Sequence, residues 1–200
     1  MGIEAVTKPA VFLDRDGVLN ALVLNPATGR MESPLSPGDF ILLDGVIPAL
    51  LRLQEAGLPL ILVSNQPNFA LGKSSLESLG AIHTRFANEL IGGGIRFTRF
   101  CYCLHHPKGV APGYSGLCVC RKPSPWFLLR ARDDFGYSLA DSWMIGDQPS
   151  DAQCGRSAGV HTIRIASGPL AVPQHARSCA DFAVRHLPEA VEIILTHRSH

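Results

Sequence analysis

The chain has 200 residues, of which 46% are hydrophobic and 18% are charged, which is enough for one substantial core and therefore for a single domain over residues 1–200. Its formal net charge of +1 and the mixed signs along the chain exclude the basic stripe of a nucleic-acid-binding protein. There is no signal-peptide pattern at the N-terminus and no apolar run of about 20 residues, the length that crosses a bilayer. We therefore expect a cytoplasmic monomer with no membrane and no nucleic-acid partner.

Short apolar runs alternate along the chain with amphipathic stretches and turns. This pattern is typical of a parallel sheet whose two faces are covered by helices, because strands buried on both faces are almost continuously hydrophobic. The runs that we predict as buried strands are residues 10–13, 60–63, 143–145 and 160–163. The sequence therefore predicts an α/β fold.

Capping residues mark two of the helices between these strands. Asp44 is a predicted N-cap for a helix over residues 46–56. Ser124 is a predicted N-cap for a second helix, which has Pro125 at its first position and ends at Gly136.

Two further helices and two long loops complete the predicted elements. Residues 74–91 and 188–195 are the helix candidates. Residues 21–40 and 105–121 are rich in Pro and Gly, and we predict ordered loops over the sheet edge or a small lobe. Long loops of this kind in compact domains are usually functional.

Two carboxylates follow the first predicted strand, in Asp14-Arg15-Asp16-Gly17. Extended backbone places Asp14 and Asp16 on the same side and directs Arg15 away, at the edge where open parallel sheets bind ligands. Such a pair can divide the labour of phosphoryl transfer, since one carboxylate attacks phosphorus and the other donates a proton to the leaving oxygen. A solvated turn that ends at Gly17 is the alternative interpretation of this motif.

Polar residues also follow the second and third predicted strands. Ser64, Asn65 and Gln66 offer hydroxyl and amide donors for phosphoryl oxygens, although such residues after a strand more often only form a turn. Asp147 follows the third strand, and Asp151 lies in the first turn of the next helix. A carboxylate there can bind a hard cation, or it can simply interact with the helix dipole.

Magnesium and a lysine complete this candidate site. Asp14 and Asp147, together with a substrate phosphate, make a typical ligand set for Mg²⁺. Lys122 precedes a helix and supplies the positive charge that an anionic transition state needs, although a single lysine is usually only a surface residue.

The order DxDGVLN, SNQ, K and GDxxxD between residues 11 and 151 resembles the haloacid dehalogenase superfamily of phosphohydrolases. The resemblance implies a Rossmann-like three-layer sandwich around a central parallel sheet. It also implies that Asp14 is the nucleophile and that Asp16 is the general acid and then the base, with its backbone carbonyl on the magnesium ion.

The same resemblance assigns the remaining roles at the site. Ser64 and Lys122 would steady the phosphoryl group. Asp147 would be the other protein ligand of magnesium, and Asp151 would support the metal shell. The chain between the first two motifs is only a helix and a loop, so no large cap is expected.

A second constellation consists of Cys103-Leu104-His105, twelve intervening residues and Cys118-Val119-Cys120. Three thiolates and an imidazole make a closed tetrahedral zinc site, which leaves no position for a catalytic water. Such a site is structural, and it would fasten a zinc-binding loop over residues 103–120 that cannot order itself by burying apolar surface.

Other residues near this constellation have alternative interpretations. A disulfide that uses Cys101 is possible, but a reducing cytoplasm disfavours it. His106 is the competing ligand, and the spacing favours His105, so we expect His106 nearby without binding the metal. Cys154 and Cys179 are predicted as small core residues.

The zinc-type loop leads directly into Arg121 and Lys122, as in the heptose bisphosphate phosphatases, which this sequence resembles. Those enzymes release the C7 phosphate of D-glycero-D-manno-heptose 1,7-bisphosphate, and histidinol-phosphate phosphatase domains share the plan. The resemblance assigns substrate binding to the loop with Asn65 and Gln66 and to Arg121, whose charge suits a second phosphate.

We therefore expect a magnesium-dependent phosphomonoesterase of carbohydrate metabolism that acts on a small phosphorylated sugar or a related metabolite. Histidinol phosphate is the alternative substrate. A binding module that retains the fold without turnover is the alternative class of function.

Two positions depart from the family pattern. Leu71 stands where an arginine is common, and Gln148 stands where lysine or arginine is common, which removes a charge beside the phosphate. Gln148 remains a candidate substrate-binding residue, and Lys73 is a nearby cation that can replace the missing charge. These departures leave the exact substrate and its anomer open.

Overall fold

Six parallel strands form the central sheet of a computed structural model that describes residues 7–166 and 180–197. Two short antiparallel strands form a separate hairpin. In chain order the strands are β1 (Pro9–Leu13), β2 (Val23–Asn25), β3 (Arg30–Glu32), β4 (Leu60–Asn65), β5 (Arg99–Cys103), β6 (Ser138–Gly146), β7 (His161–Ile165) and β8 (Phe182–Val184).

Helices cover both faces of this sheet. They are α1 (Val46–Glu55), α2 (Leu76–Gly92), α3 (Trp126–Phe135), α4 (Pro149–Ala158) and α5 (Leu187–His197), and a 3-10 turn spans Pro37–Asp39. The apolar sides of α1, α2 and α5 belong to one buried cluster, and those of α3 and α4 belong to the other. The architecture is the three-layer sandwich expected from the sequence.

Strand β1 lies at the centre of the strand order β5-β4-β1-β6-β7-β8. Leu13 is in register with Leu62 of β4 and with Ile145 of β6. The chain leaves β1 toward β4 on one side and reaches β6 on the other side, which makes the carboxyl end of β1 a topological switch point. Open parallel sheets bind their ligands at such points.

The core explains why the strand sequences are almost continuously apolar. Val11 and Leu13 of β1 point into the cluster beneath α1, α2 and α5, whereas Ala10 and Phe12 point into the cluster beneath α3 and α4. All four side chains are fully buried. Because successive residues of a strand face opposite sides, only a strand covered on both faces requires four apolar residues in a row.

All four predicted strands are confirmed, but the sheet has two further strands at its edges. β5 is only half buried and carries arginine, aromatic and cysteine residues, so its sequence has no clear apolar run. β8 is three residues long. Edge strands are covered less than central ones, and this weakens the pattern by which they can be predicted.

Two predicted N-caps are wrong by one residue. Gly45, with a φ of 77°, is the N-cap of α1 in place of Asp44. Pro125 is at the N-cap position of α3, so that Ser124 lies one residue earlier, where its Oγ still accepts a 3.4 Å hydrogen bond from the Trp126 backbone N–H. The predicted end of α3 at Gly136 is confirmed.

The remaining predictions concern the segment 21–40, two isolated cysteines and membrane spans. The segment 21–40 contains the β2–β3 hairpin and the 3-10 turn. Cys154 is a buried core residue as predicted, and Cys179 lies outside the described residues. Within residues 7–166 and 180–197, no helix is long and apolar enough to cross a membrane.

Candidate active site

A cavity of about 440 Å³ opens at the carboxyl end of β1. It brings together the polar residues that follow β1, β4 and β6, and the hairpin supplies part of its wall. Its predicted site residues are Asp14, Asp16, Asn65, Arg121, Lys122, Asp147, Gln148 and Asp151. The hairpin side contributes Leu22, Met31 and Ser33, which the sequence did not identify as site residues.

Lys122 is the cation at the centre of this cavity. Its Nζ lies 3.1 Å from Asp14 Oδ1 and 2.7 Å from Asp151 Oδ1, and it donates a 2.7 Å hydrogen bond to the Val63 carbonyl. Burial alone would lower the pKa of Lys122, but the two carboxylates raise it above its ordinary value. The buried ammonium group therefore stays charged.

Asp14 is a carboxyl group in an unfavourable place for charge. Burial raises its pKa from 3.8 to about 7, because the attraction of Lys122 does not fully offset the burial and the repulsion from Asp151, Asp16 and Asp147. Its Oδ1 accepts a 2.7 Å hydrogen bond from the Arg15 backbone N–H. The pKa of Asp147 is raised to about 6, again by burial first and then by Asp151.

Three of these carboxylates form a group that can hold a metal ion. One oxygen each of Asp14, Asp147 and Asp151 lies within 4.8 Å of the other two. Two glycines make room for them, since a Cβ on Gly17 would lie 2.6 Å from Asp147 Oδ2 and one on Gly146 would lie 2.3 Å from Asp151 Oδ2. Carboxylate oxygens in excess over the neighbouring cation suit a hard divalent cation.

Asp16 has a different environment, although it lines the same cavity. Its Oδ1 accepts hydrogen bonds from Arg15 Nε at 3.1 Å and from Asn20 Nδ2 at 3.0 Å, and its Oδ2 accepts one from Gln66 Nε2. Burial acts to raise the pKa of Asp16, but Arg15 and the hydrogen bonds from Asn20, Ser33 and Gln66 hold it below its usual value.

Arg15 itself does not line the cavity, in line with the expectation from extended backbone, but its guanidinium reaches back to Asp16. This contact between Arg15 and Asp16 is not predicted from the sequence. The two carboxylates that follow β1 therefore have pKa values shifted in opposite directions.

The residues that follow β4 contact the site in three different ways. Ser64 is buried, and its Oγ accepts a 3.1 Å hydrogen bond from Gln66 Nε2. Asn65 lines the cavity. Its Oδ1 accepts a hydrogen bond from the Lys122 backbone N–H, and its Nδ2 donates one to the Lys122 carbonyl, each at 3.1 Å. Gln66 is buried behind Asp16 and does not line the cavity.

Gln148 departs from the family pattern, and Lys73 is the cation expected to replace the charge missing there. Gln148 lines the cavity, and its Nε2 donates a 2.7 Å hydrogen bond to Asp147 Oδ2. Lys73 does not line the cavity, because its ammonium pairs with Glu32 of β3 at 2.6 Å. The expectation that Lys73 replaces the missing charge beside the phosphate is therefore wrong.

The cysteine-rich loop forms the second cluster that can hold a metal ion. The donor atoms of Cys103, His105, Cys118 and Cys120 all lie within 4.8 Å of one another. The Cys118 sulfur is 3.5 Å from that of Cys103 and 3.6 Å from that of Cys120. These distances are too long for a disulfide, and they are close to the roughly 3.8 Å between two sulfurs of a tetrahedral site with metal–sulfur bonds of about 2.3 Å.

The neighbours of the cluster agree with the sequence prediction. His105 Nδ1 is 3.8 Å from the Cys120 sulfur, whereas His106 is outside the cluster and its Nδ1 accepts a hydrogen bond from the Lys108 N–H. Cys101 lies on β5 as a free, buried thiol.

The loop connects this cluster to the cavity. It begins at the end of β5 and leads from Cys120 directly into Arg121, whose NH1 donates a 3.1 Å hydrogen bond to the His105 carbonyl. The Tyr114 ring packs against two other rings, with its centre 4.9 Å from that of Phe69 and 5.5 Å from that of His105. The loop therefore fixes the backbone that carries Arg121 and Lys122.

Known proteins resemble this chain over most of its length. A family model described as HAD-hydrolase-like matches residues 119–190. The D-glycero-beta-D-manno-heptose-1,7-bisphosphate 7-phosphatase of Vibrio cholerae is 37% identical over 157 residues, which are 78% of this chain and 80% of that protein. The protein of the same name from Escherichia coli K12 is 32% identical over 191 residues, 95% of each chain.

Solved structures resemble it as well. A D,D-heptose 1,7-bisphosphate phosphatase from B. bronchiseptica, complexed with magnesium and phosphate, has a TM-score of 0.75 and 26% identity, with coverage of 94% of this chain and 99% of that one. A HAD-like phosphatase from Mesorhizobium loti also has a TM-score of 0.75 and 26% identity, with coverage of 94% and 88%.

Ionisation of Asp14 is expected to destabilise the protein in the absence of added divalent cations. A carboxyl whose pKa is raised by folding contributes stability that is complete below its unfolded pKa of 3.8 and is lost as the pH rises to its folded value, about 7 for Asp14. We expect the stability of Asp14→Asn relative to wild type to rise by about 2–3 kcal/mol between pH 5 and pH 8. Urea unfolding of both proteins at pH 5 and at pH 8 measures this change in relative stability.

This comparison cancels the contribution of titratable groups that do not interact with Asp14, such as His83, whose pKa burial lowers. A difference between variant and wild type that stays constant with pH contradicts the assignment.

Proposed function

Because the chain belongs to the haloacid dehalogenase-like family of heptose bisphosphate phosphatases, which are phosphoric monoester hydrolases, we propose that it hydrolyses the C7 phosphate ester of D-glycero-D-manno-heptose 1,7-bisphosphate. The observation that carries the proposal is the convergence of Asp14, Asp16 and Asp147 on one cavity around Lys122. The reaction is magnesium-dependent and passes through an aspartyl-phosphate, an acyl phosphate on Asp14. One domain, with its metal-binding loop, performs it.

In the first step a carboxylate oxygen of Asp14 attacks the phosphorus of the substrate. The bond between phosphorus and the sugar oxygen breaks, and Asp16 donates its proton to that oxygen. Lys122, 3.1 Å from Asp14 Oδ1, neutralises charge on the transferred phosphoryl group. Ser64, at the end of β4, steadies the same group, and Asn65 acts on it indirectly by holding the backbone of Lys122.

In the second step a water molecule attacks the phosphorus of the aspartyl-phosphate on Asp14, and Asp16 takes a proton from that water. The bond between phosphorus and Asp14 breaks, and inorganic phosphate leaves. Asp16 therefore acts first as an acid and then as a base. Its pKa is held low by Arg15 in the free protein, but the negative charge of a bound phosphate raises it, since a like charge disfavours the ionised form.

The residues present fit a magnesium ion. The side chains of Asp14 and Asp147 and the backbone carbonyl of Asp16 would hold it, with Asp151 in support. When bound, the ion draws phosphoryl oxygens toward Asp14 and screens the crowded carboxylates. The excess of buried carboxylate over Lys122, which raises the pKa of Asp14 to about 7, supports this assignment.

The substrate assignment rests on the cavity as well as on the relatives. Arg121 lines the cavity beside Lys122 and is the cation available for a second phosphate. Met31 of the hairpin covers part of the opening, and a space of about 440 Å³ suits a small sugar phosphate. The named relatives act on the beta anomer, which we propose for this chain too.

The metal of the second cluster is proposed to be zinc. Cys103, His105, Cys118 and Cys120 supply three sulfurs and one nitrogen, which is a donor set that zinc occupies as a closed structural site. The free thiols of the described residues are compatible with the cytoplasm, which we keep as the proposed location.

Phosphate release from a panel of esters tests the proposed reaction. With magnesium present we expect a preference for D-glycero-β-D-manno-heptose 1,7-bisphosphate over its α anomer and over histidinol phosphate, with one phosphate released per molecule. Asp14→Asn is expected to lower kcat by about a thousandfold or more, because it removes the nucleophile. The control Asp133→Asn changes an exposed carboxylate that pairs with Arg132 and should leave the rate unchanged.

Two results would contradict this proposal. Equal rates for wild type and Asp14→Asn would support the non-catalytic alternative, and a preference for histidinol phosphate would replace the proposed substrate.

Magnesium is expected to stabilise the protein more at pH 8 than at pH 5.5. At pH 5.5 a proton on Asp14, whose pKa is about 7, competes with the ion, so the affinity for magnesium should fall by about tenfold or more. Thermal unfolding with and without magnesium at both pH values measures this without any substrate. A magnesium effect that is independent of pH, or one that persists in Asp147→Asn, contradicts the ligand assignment.

Loss of one zinc ligand is expected to displace the residues that follow the loop. Cys118→Ser should lower the zinc content from about one ion per chain and reduce kcat by about a hundredfold, because a shift of about 1 Å in Lys122 is enough for that loss. Cys101→Ser is the matched control, since Cys101 lies on β5 outside the cluster. Metal analysis that finds no zinc in wild-type protein purified without a chelator would contradict the zinc assignment.

A further inference from the structure

Arg15 is a buried cation to which the proposed reaction gives no task. It is 1% exposed, although arginine is seldom fully buried unless it is paired. Its guanidinium contacts both oxygens of Asp16, with NH2 at 3.0 Å from Oδ1 and at 3.3 Å from Oδ2. The partner of this cation is therefore the group proposed as acid and base.

Gln66 completes a closed set of contacts around the same carboxylate. Its Oε1 accepts a 2.8 Å hydrogen bond from Arg15 NH2, and its Nε2 donates to Asp16 Oδ2 and, at 3.1 Å, to Ser64 Oγ. Gln66 is 2% exposed and lies outside the cavity lined by Asp14. A side chain with both ends of its amide in use cannot turn toward substrate without breaking these bonds.

A second cavity lies on the other side of this group. It has a volume of about 320 Å³ and is lined by Arg15, Gln66, His83, Tyr102 and mainly apolar neighbours. The Arg15 guanidinium lies 5.8 Å from the centre of the Tyr102 ring, whose hydroxyl is 3.0 Å from His83 Nδ1. The Arg15 guanidinium therefore packs against Tyr102 of β5, which is bonded to His83 of α2, and donates its hydrogen bonds to Asp16.

We propose that Arg15 and Gln66 are positioning residues that aim the Asp16 carboxyl at the leaving oxygen of the substrate. The inference rests on the acid and base role proposed for Asp16. A forked guanidinium that contacts both oxygens of a carboxyl restricts its rotation, and a bridging amide that also bonds Ser64 ties that orientation to β4.

This role predicts a dependence on the leaving group that a merely structural ion pair does not. A sugar alkoxide cannot leave without a proton, so its departure requires a well-placed Asp16. The p-nitrophenolate anion is stable and leaves without protonation. A misplaced Asp16 should therefore slow the sugar ester and spare the p-nitrophenyl ester, whereas general distortion of the site slows both.

The test measures kcat/KM for the heptose bisphosphate and for p-nitrophenyl phosphate in Arg15→Met and Gln66→Met. The ratio kcat/KM reports the steps through formation of the aspartyl-phosphate on Asp14, so the later attack by water does not mask the effect. We expect a loss of about 10²- to 10³-fold for the sugar ester and of less than about tenfold for the p-nitrophenyl ester. Arg15→Lys, which keeps the charge but not the fork, should recover only part of the loss.

The matched control is Arg99→Met, which removes the arginine at the start of β5 that pairs with Asp134 instead. It should leave the ratio between the two substrates unchanged. If Arg15→Met fails to fold, as judged by circular dichroism, then Gln66→Met and Arg15→Lys carry the test.

A double variant separates positioning from other effects. In an Asp16→Asn background, Arg15→Met should change the ratio between the two substrates no further, because the group that it positions is already gone. Equal losses for the two substrates in the single variants, or a further change of the ratio in the double variant, overturn the proposal for Arg15 and Gln66. If Asp16→Asn alone slows both substrates equally, the role proposed for Asp16 fails as well.

Discussion

The contacts of Lys122 with Asp14 and Asp151 are the interaction on which the site depends. The carboxylates at the end of β1 and β6 are buried and repel one another, and this raises the pKa values of Asp14 and Asp147. A buried carboxylate without a partner is strongly unfavourable, and breaking a buried ion pair costs about 3–5 kcal/mol. Lys122 offsets part of this repulsion, and the proposed divalent cation would offset more of it.

The position of Lys122 is fixed from two directions. Asn65, at the end of β4, bonds both polar groups of the Lys122 backbone. The metal-binding loop holds the chain immediately before it, since Cys118 and Cys120 lie next to Cys103 at the end of β5. A metal ion held by these cysteines and His105 would therefore influence the chemistry in the cavity, because the loop sets where one ammonium group lies.

Much of the fold and of the site could be predicted from the sequence because central strands and short motifs carry strong local patterns. Four apolar residues in a row identify β1, and the residues that follow β1, β4 and β6 were predicted to meet because parallel strands end at one edge. What could not be predicted depends on contacts between distant segments. The edge strand β5 lacks an apolar run, the hairpin wall with Met31 has no motif, and the Arg15 side chain takes its orientation from Gln66 and Tyr102.

The opposite pKa shifts of Asp14 and Asp16 are the reverse of what the proposed reaction needs. Without a metal ion or substrate, Asp14 tends to hold a proton and Asp16 tends to be ionised, whereas the first step requires an ionised Asp14 and a protonated Asp16. A cation beside Asp14 lowers its pKa, and a phosphate beside Asp16 raises the pKa of Asp16. In the proposed reaction the carboxyl pair would therefore reach its reactive state only when a cation and a phosphate are both bound. Arg15 would keep Asp16 ionised in the free site, in addition to the positioning role proposed for it.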